Sequence, residues 1–292
     1  MLSKLRHFSD GPDAGLEASK LAVDVGPLLS CLGAQSDTLV RVQAGTLGIC
    51  FTVRAGARTC FLKSHATPQG RDALDKEISL LDAAYAGRLH VERVECDGRL
   101  WLVTDTLTRS PVAPGIADVL STIAGYEARL ACHEWAPRMR RDDTMSSLID
   151  ASREALAHLK STKLIADETA QQVQRYLSRL AQALASMPPV VCHGDLGPAN
   201  LMCDAEGLVA VDWEDAFLGV AGYDFLYWLT FFDNRKHLNA RIFGHTPWPK
   251  EIDIAMLVMI VLLKCDLSVR AARVAGNALS FDQRLGEILA LA

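Results

Sequence analysis

The residues of this chain that could perform chemistry are concentrated in one short region, between Val190 and Thr230. This region contains seven Asp or Glu residues and neither Lys nor Arg, whereas the other segments carry nearly balanced charge. The acidic excess behind the net charge of −5 therefore lies here. Carboxylate oxygens without competing ammonium groups suit a divalent cation. A solvated acidic loop would have the same composition, so the spacing of the residues has to decide between the two.

The spacing predicts a β-hairpin in this region. Apolar runs at 201–203 and 208–211 flank the turn cluster DAEG, in which glycine supplies a positive φ. With Glu206 at the centre, the opposed pairs are Cys203 with Val209, Leu201 with Val211, and Asn200 with Asp212. Directly opposed residues have Cβ atoms roughly 4.5–5.5 Å apart. Asn200 and Asp212 would then be close enough to share a metal ion.

A tight loop carrying one isolated carboxylate is predicted just before the hairpin. Asp195 lies five residues before Asn200 in the segment HGDLGPAN. The glycines and the proline of that segment impose a non-repetitive turn. The region therefore contains a strand, a loop with Asp195, and a hairpin with two candidate metal ligands.

The order of these motifs resembles the aminoglycoside phosphotransferase and choline kinase-like family, relatives of the protein kinases. The matching residues are His193-Gly194-Asp195, Asn200, Asp212-Trp213-Glu214, and Gly219 with Asp224 in GVAGYDFLYWL. The four parts occur in a fixed order, which makes the match far more specific than HGD alone. The resemblance extends over roughly residues 38 to 230.

The resemblance implies a phosphoryl transfer, which requires positioning and charge neutralisation more than covalent chemistry. ATP, or GTP, would donate its γ-phosphoryl group to a hydroxyl of a small-molecule acceptor. By the same resemblance Asp195 is the catalytic base, and Asn200 with Asp212 holds Mg²⁺. We expect His193 to fix the loop by hydrogen bonding, and Asp224 either to cap a helix or to bond the loop backbone. Glu214 could reach a second ion or the loop, and Asp215 is expected at the surface.

The resemblance also implies a two-lobed, protein-kinase-like α+β fold with a small antiparallel sheet in its N-terminal lobe. The segment LVRVQAGTLGICFTVRAGARTCFLKS independently predicts three strands separated by turns. Lys63 ends the third strand, and by resemblance it contacts the nucleotide phosphates and pairs with Glu77 on the following helix. The phosphate-covering loop would include Gly45, Thr46 and Gly48. It lacks the asparagine commonly found near Gly48 in this family.

The strand RLWLVTDTL (99–107) leads into a hinge, where the backbone near Asp105 and Leu107 would meet the adenine. The linker TRSPVAPG then separates an N-terminal lobe, residues 1–110, from a helical C-terminal lobe, residues 111–292. The first 37 residues are expected to form a helical extension. The C-terminal lobe would carry the catalytic loop at 193–200 and the metal-binding hairpin at 200–212.

Several classes of protein are disfavoured by the rest of the sequence. The most apolar segment, IAMLVMIVLL, is too short to span a bilayer and predicts a buried helix. The scattered cysteines, without CxxC pairs, are typical of reduced core thiols, and the N-terminus does not resemble a signal peptide, so a cytoplasmic protein is expected. No segment is basic enough for nucleic-acid binding.

Two functional alternatives to a small-molecule kinase are considered. A pseudokinase or nucleotide-binding module would retain the fold without activity, but all the expected functional residue types are present. A protein kinase would need His-Arg-Asp, Asp-Phe-Gly and Ala-Pro-Glu segments, which are missing. The acceptor is expected to be a sugar or polyol first and an amino alcohol second, because the regions expected to line its pocket are not acidic.

Overall fold

The computed structural model describes residues 23–42, 48–65, 68–272 and 279–292. Within them an antiparallel five-stranded sheet precedes a mostly helical region, which confirms the α+β fold expected from the sequence. The sheet has the spatial order β1-β2-β3-β5-β4. Its strands are β1 (Val40–Val42), β2 (Gly48–Ala55), β3 (Arg58–His65), β4 (Val91–Cys96) and β5 (Arg99–Asp105).

Both faces of this sheet are covered, and the sequence of β5 shows why. Successive side chains of a strand point to opposite faces. Leu100 and Leu102 join the main core, whereas Trp101 and Val103 join a smaller cluster with helix α1 (Gly26–Leu32). A strand buried on both faces has a nearly continuous apolar sequence, as β5 does.

Helix α2 (Pro68–Ala84) packs on the core side of the sheet. Leu74, Ile78 and Leu81 recur at helical spacing and are buried, as is Tyr85 just after the helix. These are the residues that the sequence places on one helix face. Because these apolar residues face the core, Glu77 of the same helix faces Lys63 on strand β3.

The rest of the chain is built mainly from helices around a central one, α8 (Lys250–Arg270). Residues 254–263 of α8 are all buried, so the buried helix expected from the sequence is confirmed. None of the helices in the described ranges is long and apolar enough to cross a membrane. The other helices are α3 (Ile116–Glu127), α4 (Cys132–Trp135), α5 (Met145–Ser161), α6 (Asp167–Leu184), α7 (Tyr223–Leu229) and α9 (Phe281–Leu289).

Short strands between these helices carry the candidate site. Strand β7 (Pro189–Cys192) pairs with β10 (Phe217–Val220), and β8 (Leu201–Cys203) pairs with both β6 (Thr108–Arg109) and β9 (Leu208–Ala210). Helix α6 ends just before β7, and Val173, Leu177 and Leu180 lie on its buried face, whereas Leu184 of the same apolar spacing is only half-buried. This packing fixes the position at which the chain leaves β7 and enters the loop at 193–200.

Candidate active site

The loop that follows β7 is held by its backbone. The carboxylate of Asp224, at the start of α7, accepts hydrogen bonds from the backbone N–H groups of His193 (2.7 Å) and Gly194 (3.0 Å). It also accepts one from the buried hydroxyl of Tyr126 (2.7 Å). Of the two roles expected for Asp224, the structure therefore shows bonding to the loop backbone.

Gly194 is the point of closest approach in this loop. Its φ is +83°, in the left-handed region, and a Cβ atom there would lie 2.1 Å from the carbonyl oxygen of Asp215. Only glycine fits such a contact. The same packing buries Asp215, which is 3% exposed, so the expectation that Asp215 lies at the surface is wrong.

His193 fixes the loop through both of its ring nitrogens. Its Nε2 donates to the carbonyl oxygen of Val211 (2.8 Å), and its Nδ1 accepts from the backbone N–H of Asp195 (3.3 Å). Because a carbonyl can only accept, these partners assign the neutral tautomer with the proton on Nε2. This is the hydrogen-bonding role expected from the sequence.

Asp195 itself is nearly buried, with 8% of its surface exposed. Its carbonyl oxygen accepts from the Asn200 side-chain amide (2.9 Å) and from the backbone N–H of Gly197 (2.7 Å). Its carboxylate Oδ1 accepts a hydrogen bond from the hydroxyl of Tyr227. The structure thus fixes both the backbone and the side chain of Asp195.

The predicted register of the hairpin is wrong by one residue. Strand β8 pairs with β9 so that Cys203 lies opposite Leu208, Met202 opposite Val209, and Leu201 opposite Ala210. The backbone of Asp204 bonds to Gly207 (3.1 Å), which closes a loop with two central residues instead of one centred on Glu206. The Asp204 carboxylate adds bonds to the N–H groups of Glu206 and Gly207, an Asx turn.

The corrected register moves Asp212 out of the pairing. The carbonyl oxygen of Asn200 accepts a hydrogen bond from the N–H of Val211 (2.9 Å), so Asn200 pairs with Val211 and not with Asp212. Asp212 lies one residue beyond, in a left-handed conformation with φ of 70°. The backbone leaves the strand there, and the Asp212 carboxylate bonds to Lys63 (2.5 Å).

Lys63 joins the sheet, helix α2 and the hairpin. Its Nζ donates to both carboxylate oxygens of Glu77 (2.7 and 3.0 Å) and to Oδ1 of Asp212. Burial alone would lower the pKa of Lys63, but the carboxylates around it, that of Asp212 first, raise this pKa well above its usual value. Lys63 therefore remains a cation in this buried position.

Glu214 and His65 extend this cluster, and the sequence assigned neither of these contacts. Glu214 lies 4.0 Å from Nζ of Lys63 and 3.6 Å from Nε2 of His65. His65 follows Lys63 by two residues, so the two side chains share a face of β3. Ligand atoms of His65, Glu77 and Glu214 lie within 4.8 Å of one another, but both oxygens of Glu77 already accept from Lys63.

The titration of Glu214 gives a first testable prediction. Burial, with the negative charges of Asp212 and Glu77, raises the pKa of Glu214 from 4.5 to about 8. Between these values the folded protein binds more protons than the unfolded chain, so the free energy of unfolding falls as pH rises. We expect Glu214→Gln to raise the Tm of the nucleotide-free protein by a few degrees at pH 8, with little change at pH 5.

Thermal denaturation across this pH range measures the effect. Glu206→Gln is a matched control, because the Glu206 side chain is 69% exposed on the hairpin and should leave the pH dependence unchanged. A Tm difference between Glu214→Gln and the wild type that is independent of pH would contradict the prediction.

The remaining nucleotide-site predictions concern the hinge and the phosphate-covering loop. Gly48 begins β2 and lies against the stem of Lys63, since a Cβ atom there would be 3.5 Å from Cε of the lysine. Gly45 and Thr46 lie outside the described residues. The Asp105 carboxylate accepts from Arg58 (2.7 Å) and from a backbone N–H at residue 90, and Leu107 packs half-buried against the main core. Adenine contacts by the backbone near Asp105 and Leu107 stay a prediction.

The site fits a divalent cation by the chemistry of its oxygen donors. The side-chain amide nitrogen of Asn200 donates a hydrogen bond to the carbonyl oxygen of Asp195. The amide nitrogen, and not the amide oxygen, therefore points towards the loop. The Asp212 side chain is 36% exposed and its pKa is lowered, because the charge of Lys63 outweighs the effect of burial. An amide oxygen and an ionised carboxylate are ligands that Mg²⁺ prefers.

A comparison with protein families identifies a match over most of this chain. The model described as "Phosphotransferase enzyme family" matches residues 50–245, which include Lys63, Asp195 and Asp212. No curated protein matches the chain.

Solved structures share the fold at low sequence identity. A thermostable mutant of aminoglycoside phosphotransferase APH(4)-Ia, in complex with ADP and hygromycin B, has a TM-score of 0.61 at 14% identity, with 92% of this chain and 98% of that chain covered. Macrolide 2'-phosphotransferase MphH from Brachybacterium faecium has a TM-score of 0.60 at 19% identity, with 90% and 96% covered. A choline/ethanolamine kinase family protein from Mesorhizobium loti has a TM-score of 0.60 at 19% identity, with 94% of each chain covered.

Proposed function

Because this chain belongs to the phosphotransferase enzyme family, we propose that it moves the γ-phosphoryl group of ATP to a hydroxyl group of a small molecule. The observation that carries the proposal is the bonding of Lys63 to both Glu77 and Asp212. This contact joins a strand, a helix and the hairpin around one buried cation. Such a cation can hold the phosphates of a nucleotide beside the hairpin.

We propose the following roles, which this geometry supports. Lys63, oriented by Glu77, contacts the nucleotide phosphates. Asn200 and Asp212 would hold Mg²⁺, which would neutralise phosphate charge. Asp195 orients the acceptor hydroxyl and accepts its proton. The described part of residues 1–110 would form the nucleotide-binding lobe, with the adenine near Asp105–Leu107; residues 1–22 of the expected N-terminal extension lie outside the described residues.

The comparisons support a nucleotide-dependent enzyme over a regulatory module. The APH(4)-Ia complex contains ADP, and a related complex contains AMP-PNP. A pseudokinase would be expected to lack part of the site, yet Lys63, Asp195 and Asp212 are all present and held by buried contacts. A protein kinase is disfavoured by the absence of its characteristic segments from the sequence.

The acceptor is proposed to carry little positive charge. Lys264 on α8 places its Nζ 3.8 Å from the ring centre of Tyr227 and 3.6 Å from that of Phe231. Both aromatic residues contact the loop: Tyr227 bonds Asp195, and the Phe231 ring packs against Gly197. A cation close to the base opposes a polycationic acceptor. A sugar or polyol hydroxyl is therefore proposed first, and an amino alcohol second.

A panel of acceptors tests the proposal. We expect Mg²⁺-dependent ADP release with neutral sugars or polyols, and much less with kanamycin-like polyamines; a second series with GTP tests the donor. The acceptor proposal fails if polyamines are phosphorylated with kcat/KM of ~10⁴ M⁻¹s⁻¹ or more while neutral sugars are ignored. Macrolides, spectinomycin and choline belong in the panel, because structural neighbours are named for them.

A further inference from the structure

One buried phenol contacts the carboxylate to which the base role is assigned. Tyr227 is 3% exposed, and its hydroxyl donates a hydrogen bond to Oδ1 of Asp195. A phenol that donates to an ionised carboxylate forms a charge-assisted bond, which is stronger than a neutral one.

The helix that carries Tyr227 also holds the loop backbone. Asp224 and Tyr227 are three residues apart on α7, so they share one face of the helix. Asp224 bonds the N–H groups of His193 and Gly194, and Tyr227 bonds the side chain of the next residue, Asp195. One helix turn thus places both the loop and its carboxylate.

The Tyr227 ring is itself held on several sides. It stacks on Tyr223 with ring centres 5.9 Å apart, meets Phe231 edge-on at 5.6 Å, and lies under the Lys264 ammonium. Lys264 in turn donates to the hydroxyl of Thr230 (2.7 Å). The phenol therefore presents its hydroxyl to Asp195 from a fixed position.

We propose that Tyr227 is a positioning residue for the phosphoryl transfer: its hydroxyl holds the Asp195 carboxylate in the orientation in which it takes the acceptor proton. This inference rests on the proposed function for its consequence in turnover. The proton passes from the acceptor hydroxyl to Asp195 as the acceptor oxygen bonds to phosphorus and the bond to the leaving ADP oxygen breaks. Among the described residues, titratable or charged groups close to this pair include His193, Asp215, Tyr223 and Lys264.

The test compares Tyr227→Phe with Tyr223→Phe. Without the phenol hydroxyl, the Asp195 carboxylate can rotate away from the position in which it meets the acceptor hydroxyl. We expect Tyr227→Phe to lower kcat about tenfold with the KM for ATP unchanged, because only the orientation of the base is lost. Tyr223→Phe removes a buried hydroxyl that has no hydrogen-bond partner among the described residues, and should leave kcat unchanged.

Two outcomes would overturn the inference. One is a wild-type kcat in Tyr227→Phe, and the other is an equal loss of kcat in Tyr223→Phe, which would indicate a general effect on packing. Tm values of both variants close to that of the wild type would show that both variants fold.

A second measurement does not depend on turnover and separates this inference from the proposed function. With ¹³Cζ-labelled tyrosine, Asp195→Asn should shift the NMR resonance of Tyr227 and leave that of Tyr223 unchanged. If no acceptor in the panel is phosphorylated, the proposed function fails, and this spectrum alone decides the contact. An unchanged Tyr227 resonance would overturn it.

Discussion

Replacing Asp195 by asparagine should lower kcat by on the order of 10²-fold or more, with Mg·ATP bound almost as tightly as by the wild type. A general base contributes about this much to the rate, and an amide cannot accept the acceptor proton. The asparagine oxygen can still accept from Tyr227, so the loop should keep its structure. Steady-state kinetics on the best acceptor, with calorimetric titration of Mg·ATP, measures both parts.

The nucleotide titration distinguishes loss of the base from loss of the site. Weak Mg·ATP binding together with low kcat would indicate that the loop has collapsed. Near-full turnover by Asp195→Asn would exclude Asp195 as the base.

Asp212→Ala should abolish the contribution of Mg²⁺ to nucleotide binding. Asp212 is the anionic member of the proposed metal pair, and the neutral oxygen of Asn200 alone is a poor site for a strongly hydrated ion. We expect calorimetry to show no gain in ATP affinity between metal-free buffer and saturating Mg²⁺. Phosphoryl-transfer activity should also be lost, because the transferred phosphoryl group would lack its neutralising ion.

Glu206→Ala is the matched control for this experiment. It removes a carboxylate from the same hairpin, six residues earlier, where the side chain is 69% exposed. Its Mg·ATP affinity should equal that of the wild type. If Asp212→Ala also binds Mg·ATP normally, the metal ligands lie elsewhere.

The sequence predicted the parts of the fold that depend on local pattern. The periodicity of Leu74, Ile78 and Leu81 gave the face of α2 that carries Glu77 to Lys63, and the apolar run at 254–263 gave the buried helix. Fixed motif order identified the loop and the hairpin. The apolar residues of a helix recur at its period, and the motifs are short contiguous segments. Both can therefore be recognised without knowledge of tertiary contacts.

Features set by single side-chain contacts were missed. The hairpin register depends on the Asp204 carboxylate, which closes a two-residue loop that composition does not distinguish from a three-residue one. The contacts of Glu214 with His65 and of Tyr227 with Asp195 join distant segments. For the contact of Tyr227 with Asp195, the one available signal in the sequence is the three-residue spacing that places Asp224 and Tyr227 on one helix face.

The tight approach at Gly194 affects how a mutational scan of this protein would be interpreted. Any side chain at this position meets the Asp215 carbonyl in a backbone conformation that favours glycine, so Gly194 and Asp195 should tolerate substitution equally poorly. A screen for phosphoryl-transfer activity would rank the two alike. A parallel selection for protein abundance should separate them, because Gly194 variants are depleted by misfolding whereas Asp195→Asn accumulates as stable, inactive protein.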